Sequence, residues 1–311
     1  MDSSASSPAV RTEGLSKRYG RRAAVDGLDL EIPAGTVTGL IGPNGAGKTT
    51  TLGMLLGLVR PSSGTGTVLG MPIERPARYL SRVGALIDGP AFYRALSGYE
   101  NLVALAHAGN HDAAQIPGLL ETVGLSGRAH DAYRVYSMGM KQRLALAAAL
   151  LGDPALVILD EPTNGLDPAG AREMRDLIGS LGRAERTIII SSHLLPEIES
   201  ICSWLVALDH GRALYQGPVN GFQTGSSAML LIAPEAAEDL PLLEDLLLEM
   251  GLRGHVRGDA LEAEVPAEQA RSLAAEINRT AMARGCVLVE LQIRRRTLEE
   301  AYLELVAGAS G

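Results

Sequence analysis

A glycine-rich run near the start of the chain has residue types suited to binding phosphate. Gly42-Pro-Asn-Gly-Ala-Gly47-Lys48-Thr49 fits the pattern G-x-x-x-x-G-K-[ST] and follows an apolar run at 37–41. Glycines allow backbone N–H groups to face an anion, the lysine can reach phosphate oxygens, and the threonine hydroxyl can ligate Mg²⁺. We therefore predict a phosphate-binding loop between a strand and a helix at 49–58.

Two carboxylates end a second apolar run. Residues 156–159 are followed by Asp160 and Glu161. At the end of a strand, the first acid is suited to holding Mg²⁺ and the second to accepting a proton from an attacking water. An Asp-Glu pair after a strand is common by itself, so this interpretation depends on the phosphate loop.

A serine stands where another helix is predicted to begin, in the octet Tyr136-Ser137-Met138-Gly139-Met140-Lys141-Gln142-Arg143. The Ser137 hydroxyl, the N–H of Gly139 and the helix dipole can together hold an anion. On the octet alone, an ordinary serine N-cap is the simpler interpretation. Asp167, which precedes a proline, is similarly typical of a helix cap.

The elements that must position these residues form an α/β pattern between Val10 and Gln216. Runs at 37–41, 156–159 and 187–191 predict buried strands, whose polar ends are where open α/β sheets bind ligands. Residues 88–151 predict a helical insertion, in which Ser97 and Glu100 form a capping box. Runs at 204–209 and 212–216 predict a closing hairpin.

Three further segments complete the predicted organisation. Residues 1–9 are rich in serine, alanine and proline and predict a flexible tail. A main domain at 10–222, with its helical part at about 88–151, is followed by a glycine- and serine-rich joint. Residues 226–311 predict a small α+β domain whose order βαββαβ is compatible with a ferredoxin-like module.

Composition bounds the class of protein. The 311 residues are 46% hydrophobic and 21% charged, which is ordinary for a globular chain, and the net charge of −8 argues against a nucleic-acid partner. No signal-peptide pattern is visible, and no apolar run reaches the length of about 20 residues that spans a bilayer. We therefore expect a soluble, cytoplasmic protein.

In their order along the chain, these motifs resemble those of the nucleotide-binding subunits of ABC transporters. The octet at Ser137 is similar to the family signature Leu-Ser-Gly-Gly-Gln, with Met138 and Met140 in place of a glycine and the glutamine. This form resembles the one in exporters of antibiotics and peptides. Asp88 stands where the family has a glutamine, and the bacitracin- and lantibiotic-type export ATPases resemble this chain in having an acid there.

The resemblance implies a P-loop NTPase core of the ABC type and assigns a role to each motif. Lys48, Glu161 and His193 are the implied catalytic residues, with the histidine contacting the γ-phosphate. The implied Mg²⁺ ligands are Thr49, Asp160 and Asp88. The implied nucleotide ligands, which include an adenine-stacking tyrosine and a coupling aspartate, are Tyr19, Gly42, Pro43, Asn44, Gly45, Ala46, Gly47, Lys48, Thr49, Thr50, Asp88, Ser137, Gly139 and Asp167.

The resemblance also implies partners. In the family, the serine motif of one subunit contacts the ATP of another, and here that motif lies on the helical insertion, away from the phosphate loop. We therefore expect a homodimer around two ATP molecules, attached to the inner face of the cell membrane through an integral-membrane permease that exports a drug, antibiotic or peptide. The alternative is a non-transport ABC ATPase with a ribosomal or nucleic-acid partner, which the single nucleotide domain and the acidic charge disfavour.

Overall fold

The computed structural model describes residues 7–87, 92–182, 186–223, 227–295 and 297–309. The chain divides into two compact units, one reaching to Val219 and one from Asn220 to Ala307. The finer boundaries given above, 10–222 and 226–311, stay a prediction. In the ranges described, no helix is both long enough and apolar enough to cross a bilayer.

The first unit begins with an antiparallel sheet. Its four strands, in the spatial order β2-β1-β4-β5, are β1 (Val10–Tyr19), β2 (Arg22–Ile32), β4 (Ser63–Val68) and β5 (Met71–Pro72). Towards the end of β2, buried residues alternate with exposed ones. Such alternation is expected where one face of an antiparallel sheet meets a core and the other meets solvent.

A second sheet of six strands lies in the same unit, in the spatial order β10-β9-β3-β8-β7-β6. Its strands are β3 (Val37–Ile41), β6 (Val83–Leu86), β7 (Leu156–Asp160), β8 (Thr187–Ser192), β9 (Trp204–Asp209) and β10 (Arg212–Pro218). All neighbours are parallel except the hairpin of β9 and β10. Strands β3 and β8 are buried along their whole length, as strands covered on both faces must be.

The helices of the first unit are α1 (Lys48–Leu55), α2 (Gly98–Gly109), α3 (Ile116–Thr122), α4 (Met138–Ala149), α5 (Pro168–Gly182) and α6 (Leu195–Ile201). Helix α7 (Val219–Gln223) starts at Val219, and its other residues belong to the second unit. The predicted capping box opens α2: Ser97 Oγ accepts from Glu100 N, and Glu100 Oε2 accepts from Ser97 N at 2.7 Å. Helices α2 to α4 fill most of the predicted helical insertion. The main core joins Leu28 of the first sheet, Leu52 of α1 and Ile158 of the second sheet.

The predicted flexible tail extends too far at its end. Ala9 is only 2% exposed, its N–H donates to Ile32 O at 2.8 Å, and its carbonyl accepts from Leu69 N at 2.7 Å. Two backbone hydrogen bonds and burial therefore fix the residue that the prediction placed in the tail. Residues 1–6 lie outside the described residues.

The second unit is an antiparallel sheet with two helices on one face. Its elements are β11 (Ser227–Pro234), α8 (Leu240–Glu249), β12 (Gly254–Arg257), β13 (Ala260–Pro266), α9 (Ala270–Ala283), β14 (Leu288–Arg295) and α10 (Leu298–Ala309), with the sheet in the order β12-β13-β11-β14. Leu230 and Leu261 of the sheet share a core with Leu246 of α8 and Ile277 of α9. The order βαββαβ is the predicted one, and the ferredoxin-like assignment stays a prediction.

Candidate active site

The predicted phosphate loop connects β3 to α1, and its glycines are required by packing as well as by phosphate. Gly47 has a φ of +104°, and a Cβ there would lie 2.5 Å from Ala24 O. A Cβ on Gly42 would lie 2.3 Å from Leu208 O. Because both distances are shorter than any real contact, a side chain at either position would displace the loop.

The loop is also held from outside by the β9–β10 hairpin. Gly211 N donates to Ala46 O at 2.9 Å, and Asp26 N donates to Gly211 O at 2.9 Å. Ala46 itself is buried. Two backbone hydrogen bonds thus connect the loop, through the hairpin turn, to strand β2.

Lys48 lies inside the loop. Its side chain is 7% exposed, and its Nζ donates to Gly42 O at 2.7 Å and to Pro43 O at 3.4 Å. The same ammonium lies 3.7 Å from Glu161 Oε1. A buried cation needs such partners, and the carbonyls hold it where a phosphate chain on the loop would come within reach.

Each carboxylate oxygen of Asp160 accepts a hydrogen bond from a hydroxyl group. Thr49 Oγ1 donates to Asp160 Oδ2 at 2.8 Å, and Ser191 Oγ donates to Asp160 Oδ1. The parallel register of β7 and β8 places Asp160 opposite Ser191. Ser191 was not predicted, because a serine near a strand end has no distinguishing pattern, although pairing the two predicted strands would have placed it opposite Asp160.

Glu161 is oriented by its own backbone. Its φ of +48° is uncommon for a residue with a side chain, and its N–H donates to Ser191 Oγ at 2.9 Å and to Ser191 O at 3.2 Å. His193 Nδ1 lies 2.8 Å from Glu161 Oε2. The structure thus brings together Lys48, Glu161 and His193, the three predicted catalytic residues.

Six of the predicted nucleotide ligands of the loop line one cavity of about 470 Å³, whereas Gly42, Pro43 and Ala46 do not line it. Tyr19, at the end of β1, is 52% exposed and lines this cavity. The predicted residues that line it are Tyr19, Asn44, Gly45, Gly47, Lys48, Thr49, Thr50 and Glu161, and Arg22 and Ala24 join them. Arg22 was not predicted, because an arginine beside another arginine carries no motif.

Ser137, Gly139 and Asp167 lie elsewhere in the described part of the chain, around a second cavity of about 570 Å³. Ser137 Oγ accepts from Met140 N at 3.2 Å and begins α4, while Asp167 Oδ1 accepts from Gly170 N at 3.0 Å near the start of α5. Both residues therefore cap helices, as their patterns indicate.

The helix that begins at Ser137 is nearer to the phosphate loop of its own chain than the sequence suggests. Met138, Lys141 and Gln142 share a cavity of about 700 Å³ with Thr49 and Asp160. Within the ranges described, neither Ser137 nor Gly139 lines that cavity or the cavity of the loop. Asp88, predicted to bind nucleotide and Mg²⁺, lies outside the described residues.

The oxygen donors of this site suit Mg²⁺. The hydroxyl of Thr49 and a carboxylate oxygen of Asp160 lie within hydrogen-bonding distance of each other, and hard cations of this size prefer such ligands together with phosphate and water oxygens. A single carboxylate and a hydroxyl are typical of a site in which the substrate supplies the remaining ligands.

Comparison with known proteins agrees with this geometry. The family model described as ABC transporter matches residues 25–164. The chain is 43% identical to the bacitracin transport ATP-binding protein BcrA of Bacillus licheniformis over 215 residues, which cover 68% of this chain and 70% of that protein. It is 34% identical to the daunorubicin resistance ATP-binding protein DrrA2 of Streptomyces coeruleorubidus over 306 residues, 96% and 94% of the two chains.

This chain is also similar to a solved structure described as an ATP binding subunit of an ABC transporter. The two superpose with a TM-score of 0.62 at 28% identity, and the match covers 69% of this chain and 92% of the chain in that structure. The residues that the family model matches include the phosphate loop, the Asp-Glu pair and the helical segment between them. The predicted ABC-type core and the predicted resemblance are confirmed. The chain belongs to the ATP-binding subunits of ABC transporters, a family that hydrolyses ATP to power transport.

Proposed function

We propose that two copies of this chain close around two ATP molecules and that hydrolysis at the interface drives export through a separate membrane subunit. The observation that supports a dimer is the separation of two anion-binding features within one chain. Lys48 and Gly45 line one cavity, whereas Ser137 and Gly139 line another. A second copy can bring its Ser137 and Gly139 to the nucleotide on the loop of the first copy, whose own Ser137 and Gly139 do not share a cavity with that loop.

The position of each residue supports the role that we propose for it. Tyr19 stacks on the adenine, because it is an exposed ring at the cavity that the loop lines. The backbone of 42–47 and Lys48 bind the phosphates. Thr49 and Asp160 hold Mg²⁺, with Asp88 as a further oxygen ligand suggested by the resemblance alone. When bound, the ion supplies neutralisation of charge on the phosphates.

Hydrolysis transfers the γ-phosphoryl group to water. The water oxygen forms a bond to the γ-phosphorus, the bond from that phosphorus to the β,γ-bridging oxygen breaks, and the proton of the water passes to a Glu161 carboxylate oxygen. Lys48 faces Glu161 Oε1, and His193 holds Oε2. These contacts fix the carboxylate in one orientation before the substrate arrives, so little reorganisation accompanies the reaction.

The proposed cargo class comes from the relatives. One is named for bacitracin transport and another for daunorubicin resistance, so we propose a drug, antibiotic or peptide as cargo. The proposed location is the inner face of the membrane, where the permease binds near Tyr93. That ring is 70% exposed, and the backbone of Tyr93 is fixed by Asn101, whose Oδ1 accepts from Tyr93 N at 2.8 Å.

The experiment that tests the dimer uses Glu161→Gln, which keeps the shape of the side chain but removes the base. With Mg²⁺ and ATP, light scattering on this variant should report twice the mass of the nucleotide-free protein, and the turnover number should fall by about a hundredfold or more. Lys48→Ala is the control that should bind no ATP and stay at the lower mass. A Glu161→Gln protein that remains at the lower mass with saturating ATP, even beside its membrane subunit, contradicts the proposal.

The same preparations test the class of partner. Affinity purification of the tagged chain from its own cells should recover an integral-membrane protein. Recovery of ribosomal RNA or DNA in its place would contradict the transport role and support the alternative.

A further inference from the structure

A two-residue turn sets two side chains beside the nucleotide cavity. Gly20 and Arg21 connect β1 to β2, and the antiparallel register pairs Tyr19 with Arg22. Residues directly opposite each other in an antiparallel pair share one face of the sheet. Tyr19 and Arg22 both line the cavity of the phosphate loop, whereas Arg21 does not.

The guanidinium of Arg22 lies against the phosphate loop itself. Gly45, in the middle of the loop, has a φ of +86°, and a Cβ built there would lie 3.3 Å from Arg22 Nη2. Because glycine has no side chain, the guanidinium can approach the loop backbone. A cation of β2 therefore lies beside the part of the chain whose N–H groups are suited to phosphate.

The charge of Arg22 is uncompensated within the described residues. Among the described residues, one carboxylate lines the cavity, that of Glu161, and it is already within reach of Lys48 at 3.7 Å and His193 at 2.8 Å. No ion pair or hydrogen bond in the described part of the chain engages the Arg22 side chain. An arginine with five free donors beside a phosphate loop has the chemistry of an anion ligand.

We infer that Arg22 binds the phosphate chain of the nucleotide, as a second cation in addition to Lys48, since both residues line the same cavity. The inference rests on the proposed function, since it assumes that this cavity holds ATP. Lys48 reaches the phosphates from the start of α1, and Arg22 reaches them from the β1–β2 hairpin. The planar guanidinium donates charge-assisted hydrogen bonds to phosphate oxygens, so it adds affinity without a role in proton transfer.

Arg22→Gln tests the inference, and Arg21→Gln is the matched control, because it removes the same charge from the adjacent position. Arg22→Gln should raise KM for ATP, and Kd measured by calorimetry, by about five- to tenfold, while kcat stays within about twofold of wild type. Arg22→Lys should lie between wild type and Arg22→Gln. Added salt should weaken ATP binding more steeply in wild type than in Arg22→Gln, because an exposed cation is screened.

Inorganic tripolyphosphate separates a phosphate contact from a contact with the sugar or base. Its inhibition of the ATPase should weaken in Arg22→Gln by about the same factor as ATP binding weakens. Equal ATP affinity in Arg22→Gln and Arg21→Gln overturns the inference, and so does unchanged inhibition by tripolyphosphate. A wild-type chain that binds no ATP contradicts the proposed function instead, which keeps the two failures apart.

Discussion

A buried hydrogen bond connects the loop after Glu161 to the helix after His193, and its loss should be measurable in both stability and turnover. Thr163 Oγ1 donates to Glu197 Oε2 at 2.6 Å, and the two residues are 7% and 8% exposed. Thr163 follows Glu161 by two positions, in a turn where Asn164 N donates to Glu161 O. The bond therefore fixes the distance between the two segments that carry the base and its histidine.

The perturbation is Thr163→Val, which keeps the branched shape and removes the hydroxyl. Glu197 then loses a buried donor, and losing such a bond to a carboxylate costs about 2 kcal/mol. For a unit of this size, 1 kcal/mol corresponds to about 2–4 °C, so the melting temperature should fall by about 4–8 °C. Because the Glu161–His193 pair is held less firmly, kcat should fall by about tenfold or more.

Thermal unfolding followed by circular dichroism, together with steady-state ATPase rates, measures both effects. Thr163→Ser is the matched control, because it keeps the hydroxyl and loses a methyl group, so its kcat should stay near wild type. If Thr163→Val melts within 1 °C of wild type, or lowers kcat no more than Thr163→Ser, the bond does not position the catalytic pair.

Three further predictions concern other parts of the fold. Gly47→Ala should destabilise the first unit by about 1–3 kcal/mol and abolish ATP binding in calorimetry, because of the positive φ and the contact with Ala24 O; wild-type affinity would contradict this. Ser191→Ala should lower kcat by about tenfold or more with a smaller change in KM, because Asp160 and the backbone of Glu161 both lose a partner; an unchanged kcat would show that the serine is dispensable. The hydrogen bond from Ser97 N–H holds the pKa of the Glu100 carboxyl below its usual value of 4.5. The ionised carboxylate therefore stabilises the folded state at pH values above 4.5, and this stabilisation is lost as the pH falls through the lowered pKa. The difference in melting temperature between wild type and Glu100→Gln should therefore be largest near neutral pH and shrink in acid. A difference that stays constant down to acid pH would contradict a stabilising role for the ionised Glu100 carboxylate.

Elements that are specified by a local sequence pattern could be predicted from the sequence. Strand β3 and the loop after it combine a buried apolar run with a glycine pattern that packing and phosphate binding both require. The capping box of α2 was predictable for the same reason, since Ser97 and Glu100 make reciprocal bonds over three residues. In such cases local chemistry and the global fold demand the same residues.

Features that depend on pairing between distant segments could not be predicted in this way. The contacts of Ser191 with Asp160 and Glu161 arise from the register of two parallel strands, which no local pattern encodes. The burial of Ala9 depends on bonds to β2 and to the turn after β4. The position of Arg22 depends on the two-residue turn between β1 and β2, which brings the guanidinium close to Gly45 in the phosphate loop. These two segments are distant in the sequence, so no local pattern indicates the contact.

The bond from Gly211 N to Ala46 O has a practical consequence for following the catalytic cycle. Gly211 does not line the nucleotide cavity, yet its amide is bonded directly to the backbone of the loop. Binding that stiffens the loop must slow the exchange of this amide proton with solvent, and release of the product must restore it. Isotope exchange at one glycine can therefore report occupancy in the native enzyme, without a label on the nucleotide or a probe inside the cavity.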